Sequence, residues 1–181
     1  MTTYCDYCNS RPEDTHNRVY HDTQYGFPLQ DDNLLFERLI LEINQAGLSW
    51  IMILKKADNF RSAYSRFDID KIASYGEADR VGLLSNPGII RNRLKVDAAI
   101  ENARRIQNLR REYGSFKAWL DDHHPQTLEK WAALFKHNFV FTGGEIVKEF
   151  LMSTGYLPGA HTPDCPIYEA VIAKRPPWHS Q

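Results

Sequence analysis

Cysteine and histidine residues near the two ends of the chain have the spacing of metal ligands. Twelve residues separate Cys8 from His21, and three separate His161 from Cys165. Two thiolates and two imidazoles form a common closed zinc site, which stabilises a fold rather than catalysing a reaction. Either pair alone is more often structural than metal-binding. Cys5 leaves a local alternative, in which Cys5-x₂-Cys8 is a redox pair or supplies two ligands of one zinc.

A carboxylate is predicted near the end of an apolar helix, in the segment LLFERLILEINQAGLSW. Its second glutamate is Glu42 and its last residue is Trp50, while Tyr20 and Tyr25 come shortly before it in YHDTQYG. Aromatic faces stack on a nucleobase and a carboxylate accepts from an exocyclic amine, so these side chains could line a base pocket. Two plainer interpretations remain open. The aromatic residues could pack in the core, and Glu42 could pair with Arg38 on one helix face.

The segment SNPGIIRNRLK has the outline of a helix–hairpin–helix motif. A short helix ends before its Pro-Gly turn, and a basic helix begins near Arg91. Backbone N–H groups around Gly88 and at the start of the second helix could hold a DNA phosphate, beside the charges of Arg91, Arg93 and Lys95. An ordinary joint between two helices with exposed cations explains the segment equally well.

Length and composition predict one globular domain over residues 1–181. The chain is 43% hydrophobic and 25% charged, which is enough apolar content for a core. Its longest apolar run falls short of the ~18 residues that a membrane helix needs, and no secretory signal is recognisable, so we expect a cytoplasmic protein. Three cysteines, an odd number, argue against a disulfide framework.

The formal net charge of −1 is unevenly distributed. Residues 91–111 contain seven Lys or Arg and two Asp or Glu, a local balance of +5, so the rest of the chain carries −6. This asymmetry permits a nucleic-acid face on a nearly neutral protein. Charge alone still favours a solvated helix surface.

Helical signals dominate and strand signals are weak, so the predicted fold class is all-α. Asp31 and Asp32 can cap a helix over residues 33–46 that Gly47 ends, and Ser49 can cap the next one. The later predicted helices cover residues 50–56, 59–67, 70–75, 77–85, 91–113, 115–122, 128–137 and 144–154. Both termini are predicted to be irregular, with residues 171–181 as a loosely attached tail.

Three motifs together resemble the DNA-3-methyladenine glycosylase I family of the helix–hairpin–helix DNA glycosylase superfamily. They are YHD with a glycine five residues after the histidine, QAGLSW followed by a lysine pair, and NPGIIRNRLK. The resemblance covers residues 5–106 closely and resumes over residues 139–165. It implies an all-α fold whose cleft holds a flipped base. It also implies release of 3-methyladenine from double-stranded DNA, and a structural Zn²⁺ that joins terminal segments 1–30 and 155–170.

The resemblance implies roles for individual pocket residues. Glu42 matches the family's pocket glutamate, Trp50 its stacking tryptophan and Tyr20 a pocket tyrosine. Tyr25 stands where tryptophan is usual, and Asn17 where a second pocket tyrosine is usual. Because a 3-methyladenine nucleotide is cationic, an ionised Glu42 and these aromatic faces would favour it over neutral adenine.

Two further matches concern contact with DNA and the reaction type. Residues 45–48, which include Gln45 and Leu48, match the family's segment that probes the DNA near the vacated base position. Bifunctional members of the superfamily carry a lysine in the hairpin, and Asn92 stands at that position here. We therefore expect a monofunctional glycosylase without lyase activity.

The resemblance also implies a zinc ligand set with one open choice. His21, His161 and Cys165 match three of the ligands. Cys8 has the family's spacing to the histidine, whereas Cys5 has the family's pattern of cysteine-x-aromatic. Spacing favours Cys8, with Cys5 as the alternative.

Several features depart from the family pattern and bear on base specificity more than on reaction class. They are Asn17, Glu145 after the late glycine, and a short segment between residues 120 and 137. A protein of the same fold that binds lesion DNA without catalysis is the alternative function. A zinc-dependent hydrolase using His21 or His161 is a third, and it needs an open coordination position. We expect a monomer.

Overall fold

Helices make up the regular structure of residues 3–179, the part of the chain that the computed structural model describes. No strand occurs in this part, so the predicted all-α class is confirmed. The α-helices are α1 Tyr4–Asn9, α2 Thr15–Thr23, α3 Asp32–Gln45, α4 Trp50–Ala63, α5 Ile69–Ala73, α6 Glu77–Ser85, α7 Arg93–Tyr113, α8 Phe116–His123, α9 Leu128–Asn138, α10 Gly144–Ser153 and α11 Tyr168–Ala173, with 3₁₀-helices at Ser65–Phe67 and Pro177–His179. Residues 1, 2, 180 and 181, which belong to the predicted terminal segments, lie outside the described residues.

Helix α3 is the central element of the fold. The Asp31 side chain accepts from the Leu34 backbone N–H at 3.0 Å and so caps its start, as predicted. The side chains of this helix that are fully buried in the main core are Leu35, Phe36, Leu39, Ile40 and Ile43. Burying a side chain of this kind stabilises a fold by about 1.5–3 kcal/mol. The Asp32 carboxylate accepts from Arg110 at 2.7 Å and from the Phe116 N–H at 2.9 Å, which fixes α7 and α8 against the start of α3.

The prediction of irregular termini is wrong, because three short helices form there. Thr3 and Asp6 cap α1 reciprocally through side chain and backbone, and the Asp14 side chain caps α2 by accepting from the Asn17 N–H. These helices carry many polar residues, so apolar periodicity did not reveal them. Residues 171–179 are also docked rather than loose, since the Trp178 N–H donates to the Gly155 carbonyl at 3.1 Å.

Helix α4 replaces two predicted helices. It continues through residues 57–58, where a break was expected, and ends at Ala63. Neither Ala57 nor Asp58 is a helix-breaking residue, so the helix continues through them. The result is one longer helix, whose first residue is Trp50. None of the helices in residues 3–179 combines the length and hydropathy needed to cross a bilayer.

Candidate functional site

Three predicted aromatic residues meet in one cluster between α2, α3 and α4. The Tyr20 ring lies 5.0 Å from Trp50 and 5.7 Å from Tyr25, measured between ring centroids. Tyr20 and Tyr25 are buried, whereas Trp50 is half-buried. The Trp50 indole N–H is buried without an acceptor among the described residues. A buried donor left unpaired in this way costs about 1–3 kcal/mol, a cost that an acceptor from outside these residues would remove.

Glu42 is a buried acid beside this cluster. Only 5% of it is exposed, and no donor within residues 3–179 hydrogen-bonds to its carboxylate. Burial and, next, the charge of Glu149 raise its pKa to about 8, while Arg38 opposes the rise. Burial in the free protein therefore favours the protonated form of Glu42, and the ionised carboxylate expected beside a cationic base stays a prediction.

The ion pair between Arg38 and Glu42, one of the two interpretations left open by the sequence, does not form. Arg38 Nη1 instead donates to Tyr20 Oη at 3.2 Å and to the Ser153 carbonyl at 3.1 Å. Its guanidinium also lies 5.0 Å from the centroid of the Tyr20 ring. Arg38 thus fixes Tyr20 against α10 and leaves Glu42 without a hydrogen-bonding partner.

The side chain of Asn17 is committed to hydrogen bonds within the protein. Its Oδ1 accepts from Tyr4 Oη at 2.7 Å, and its Nδ2 donates to Asp14 at 2.7 Å. The predicted direct contact of Asn17 with a base is not supported by this geometry. Tyr4, which the sequence did not single out, packs edge-on against Tyr25 at 5.2 Å and extends the aromatic wall.

Glu149 on α10 is a further residue beside this cluster that no sequence motif singled out. Its Oε2 accepts from Tyr25 Oη at 3.2 Å, and its side chain is half-buried. Burial raises its pKa, while the hydrogen bond from Tyr25 lowers it. The sequence signal that could have found it is a glutamate between the apolar residues Val147 and Phe150, which predicts a partly buried acid.

Four buried side chains form a cluster that could hold a metal ion. The ligand atoms of Cys5, His21, His161 and Cys165 all lie within 4.8 Å of one another. Cys165 Sγ is 3.6 Å from His21 Nε2 and 3.4 Å from His161 Nδ1. A tetrahedral zinc with ordinary bond lengths needs sulfur–nitrogen separations of about 3.6 Å. The residues therefore fit a closed Cys₂His₂ site.

Neighbouring groups orient both histidines of this cluster. His21 Nδ1 lies 2.6 Å from Asp22 Oδ1, and His161 Nε2 lies 2.7 Å from the Tyr25 carbonyl oxygen. In each ring the nitrogen away from the cluster has an acceptor, which leaves the other nitrogen free to offer a lone pair. Burial lowers the pKa of His161, so its ring stays neutral.

The preference for Cys8 as the fourth ligand is corrected by the structure, which places Cys5 in the cluster. Both cysteines lie on α1, where residues three apart share one side of the helix but are offset by about 60° around its axis and about 4.5 Å along it. Cys5 Sγ is 3.7 Å from His161 Nδ1, whereas Cys8 Sγ lies 3.8 Å from the Asn17 carbonyl oxygen. Counting positions along the chain could not show which thiol the helix turns toward the cluster.

Gly26 allows the chain to pass close to this cluster. Its φ is +82°, and a Cβ at this position would lie 2.8 Å from the Ala160 Cβ and 3.2 Å from His161. Any other residue would be strained and would displace His161. Its N–H donates to the Ser153 carbonyl at 2.9 Å, which holds Tyr25 between the metal cluster and α10.

Lys95 does not lie on the predicted DNA-binding surface. Only 4% of it is exposed, and its Nζ donates to the carbonyls of Asn44 and Ala46, each at 2.7 Å. A lysine at the start of a basic helix suggests a phosphate contact, but here it satisfies carbonyls at the end of α3. Burial lowers its pKa.

Residues 45–48 form a closed turn after α3. The Leu48 N–H donates to the Gln45 carbonyl at 2.7 Å, and Gln45 Nε2 donates to the Leu48 carbonyl at 2.9 Å. Gly47, at the exposed tip, has a φ of +79°, which glycine adopts without strain. Leu48 packs partly against the main core. Its two internal hydrogen bonds and the packing of Leu48 therefore fix the conformation of this turn, which lies beside the start of α7.

The turn between α6 and α7 is stabilised from α4. The Gly88 N–H donates to Asn86 Oδ1 at 2.8 Å, and Lys56 Nζ donates to the Pro87 and Gly88 carbonyls at 3.2 and 3.3 Å. The Gly88 N–H is therefore committed within the protein, in contrast to its predicted phosphate contact. Arg91 and Arg93 are exposed beside this turn, as expected for a cationic surface.

Comparisons with known proteins agree with this geometry. The chain matches the methyladenine glycosylase family over residues 9–133. It is 34% identical to DNA-3-methyladenine glycosylase 1 of Escherichia coli (strain K12), over 83% of this chain and 90% of that protein. It is also 34% identical to DNA-3-methyladenine glycosylase of Haemophilus influenzae, over 92% and 98% of the two chains. A structure that describes 3-methyladenine recognition by 3-methyladenine DNA glycosylase I from Staphylococcus aureus superposes with a TM-score of 0.75, at 30% identity over 84% of this chain and 90% of that chain.

Proposed function

The chain belongs to the methyladenine glycosylase family, and from that premise we propose that it is a monofunctional DNA base-excision enzyme that hydrolytically releases 3-methyladenine from alkylated double-stranded DNA. One observation carries the proposal. Glu42 is a buried carboxyl group without a hydrogen-bond donor in residues 3–179, beside the aromatic side chains of Tyr20, Tyr25 and Trp50. A buried acid that lacks a partner is ready for a partner from outside the protein.

The charge of the substrate explains how Glu42 acts. The 3-methyladenine nucleotide is cationic, and its base leaves as a neutral molecule, so strong acid catalysis is not required. A cation beside Glu42 favours the carboxylate over the acid, and the carboxylate then accepts a hydrogen bond from the exocyclic amine. Neutral adenine brings no such charge. The pocket therefore discriminates by charge, and water completes the hydrolysis.

The aromatic residues supply the surface on which a flipped base rests. Stacking on an aromatic face is worth about 1–3 kcal/mol per base, and a cationic base adds an attraction to the ring electrons. The unpaired Trp50 N–H can donate to an acceptor on the base. These contacts offset the cost of taking the nucleotide out of the stack.

The surface beside α7 is suited to contact DNA. Arg91 and Arg93 are exposed, and the side chain of Arg93 is 73% exposed despite its 3.8 Å ion pair with Asp97. They lie next to the 86–92 turn, which we interpret as the turn of a helix–hairpin–helix motif. The 45–48 turn projects from the same region, because Lys95 joins it to α7. Cations bind the phosphates while the projecting turn approaches the vacated base position.

We propose that a structural zinc occupies the cluster of Cys5, His21, His161 and Cys165. Four protein ligands close the coordination sphere, so a hydrolase that activates water on an open zinc position is disfavoured. The metal would join α1 and α2 to the 161–165 loop. Through the His161 contact with the Tyr25 carbonyl, it would also fix one wall of the base pocket.

A base-release assay on methylated duplex DNA tests the proposed function. We expect the wild-type protein to release 3-methyladenine, and Glu42→Gln to release it at least about 100-fold more slowly. Borohydride treatment of the same reactions should trap no protein–DNA adduct, because the hairpin has Asn92, whose side chain caps α7, where a lyase carries lysine. Circular dichroism and thermal melting establish that the variant is folded. Wild-type protein that binds lesion DNA but releases no base would contradict the proposal and favour a lesion-binding protein.

A further inference from the structure

A second carboxylate lies behind the aromatic wall of the base pocket. Glu149 is on α10 and accepts from Tyr25 Oη at 3.2 Å. The Tyr25 ring packs against the Tyr20 ring at 5.7 Å. Among the described residues, Tyr25 is the donor to Glu149, and no ion pair neutralises this carboxylate. An acid in this position affects the pocket both through Tyr25 and through its charge.

Helices α3 and α10, which carry Glu42 and Glu149, are in direct contact. Arg38 of α3 donates to the Ser153 carbonyl of α10 at 3.1 Å. Glu42 lies one turn after Arg38, and Glu149 lies one turn before Ser153. Since residues four apart share one face of a helix, the two glutamates extend from the same contact. After burial, the charge of Glu149 is the largest cause of the raised pKa of Glu42.

We propose that Glu149 is a positioning residue for the excision reaction, which holds the Tyr25 phenol in the pocket wall and keeps a proton on Glu42 until a cationic base arrives. The inference rests on the proposed function, and it adds a second carboxylate that contributes to base selectivity. Two negative charges in a buried pocket repel each other, so the empty pocket retains one proton. A cationic purine supplies a positive charge in its place.

Entry of the cationic base and loss of the Glu42 proton together leave the total charge of the pocket unchanged. As the cationic base enters, the O–H bond of Glu42 breaks and the proton passes to solvent. The carboxylate then faces the positive base, and the pocket keeps the same total charge. Neutral adenine brings no charge to replace the proton, so it meets a protonated Glu42 that accepts weakly from its amine. Glu149 thereby increases the preference for alkylated, cationic purines over the normal base.

Few other charged groups face Glu42. Arg38 lies on its own helix and is committed to Tyr20 and the Ser153 carbonyl. The phenols of Tyr20 and Tyr25 face it from α2 and the loop that follows, and burial raises the pKa of both, so they stay neutral. Helix α4 contributes the uncharged Trp50. Glu149 is therefore the group on a neighbouring helix whose removal should change the protonation of Glu42.

Nuclear magnetic resonance with ¹³C-labelled glutamate tests this coupling without requiring catalysis. The Glu42 carboxyl signal is assigned by its loss in Glu42→Gln and should titrate near pH 8 in the wild type. In Glu149→Gln we expect its midpoint to move down by roughly one pH unit. The matched control is Glu145→Gln, one turn earlier on α10 with 87% of its side chain exposed, which should shift the midpoint far less. An unchanged midpoint in Glu149→Gln would overturn the proposal.

The pH dependence of single-turnover excision gives the second measurement. Below saturation, where the rate reports the free protein, the wild-type rate should rise with pH as Glu42 ionises, and the rise should occur at lower pH in Glu149→Gln, together with weaker discrimination against adenine. A uniform loss of rate with an unmoved midpoint would show a merely structural role and would also overturn the proposal. If the glutamine variant does not fold, Glu149→Met supplies the same comparison. A protein that releases no base fails the proposed function, while the carboxyl titration still decides the role of Glu149.

Discussion

At the scale of single residues, the site depends on an acid that the fold does not satisfy. Glu42 is buried without a hydrogen-bond donor in residues 3–179, and its nearest arginine is turned toward Tyr20. Such a group lowers stability and is kept where binding or chemistry needs it. The stability of this protein should therefore depend on pH through Glu42, with a sign that can be worked out.

Glu42→Gln should stabilise the free protein at neutral and higher pH. The folded state holds the Glu42 pKa near 8, above the ordinary value of 4.5. The carboxyl group therefore contributes its full stability below about pH 4.5, and that contribution is lost as pH rises toward 8. At about pH 7 the loss corresponds to about 3 kcal/mol, which a neutral glutamine avoids. Urea unfolding at several pH values measures the difference between the two proteins.

The variant and the wild type should converge in unfolding free energy near pH 4.5. Glu145→Gln serves as the control, because it removes an exposed carboxylate from the surface of α10. A stability difference that stays constant across this pH range would contradict the assigned protonation of Glu42.

At the scale of elements, α3 and α7 meet through a buried ammonium group. Lys95 Nζ donates to the Asn44 and Ala46 carbonyls at 2.7 Å, and it has no acidic partner among the described residues. Carbonyls at the end of a helix lack partners within the helix, and a cation satisfies them well. The contact joins the start of α7 to the 45–48 turn, so the surfaces proposed to bind phosphates and to probe the vacated base position are held in one arrangement.

Lys95→Met should lower stability and excision together. Each of its two hydrogen bonds contributes about 1.5–3 kcal/mol, and the cost of burying the charge offsets part of this, so we expect a loss of at least about 2 kcal/mol in the free energy of unfolding. The matched variant is Arg93→Met, which removes a largely exposed cation two residues earlier. It should leave stability nearly unchanged, weaken DNA binding and reduce its salt dependence by about one counterion. The reverse pattern would contradict the separation of the two cations into a buried cap and a surface contact.

Sequence patterns located the elements that have strong local signals. Capping residues and periodicity predicted a helix over residues 33–46 and one over 77–85, close to the observed Asp32–Gln45 and Glu77–Ser85. Helices α1 and α2 were missed because their polar composition hides periodicity. The choice between Cys5 and Cys8, and the inward direction of Lys95, depend on packing against distant segments. A local pattern carries no information about such contacts.

At the scale of the whole molecule, the two ends of the chain meet beside the base pocket. Helices α1 and α2 contribute Cys5 and His21, and the 161–165 loop contributes the other two ligands. His161 contacts the Tyr25 carbonyl, and the Tyr25 hydroxyl contacts Glu149. The terminal cluster and the pocket therefore share one residue, and loss of the cluster should disturb base recognition.

Cys5→Ser and Cys8→Ser distinguish the two cysteines. Cys5→Ser should lose bound zinc, melt at a lower temperature and release 3-methyladenine more slowly, because a ligand that closes the site is removed. Cys8→Ser should retain about one zinc per chain, since its thiol faces the Asn17 carbonyl instead. Metal content, measured by atomic emission, and thermal melting check both outcomes. Zinc loss in Cys8→Ser alone would overturn the ligand assignment.

The Cys5–His161 contact also sets an order of events during synthesis, because it joins positions 156 residues apart. A ribosome adds about 5–20 residues per second, so His161 is made roughly 8 to 30 seconds after Cys5. During that interval the growing chain carries a cysteine and a histidine whose partners do not yet exist. The wall that Tyr25 forms through His161 can be completed only when the late loop reaches the early helices. Base recognition is therefore among the last properties that a new copy of this protein acquires.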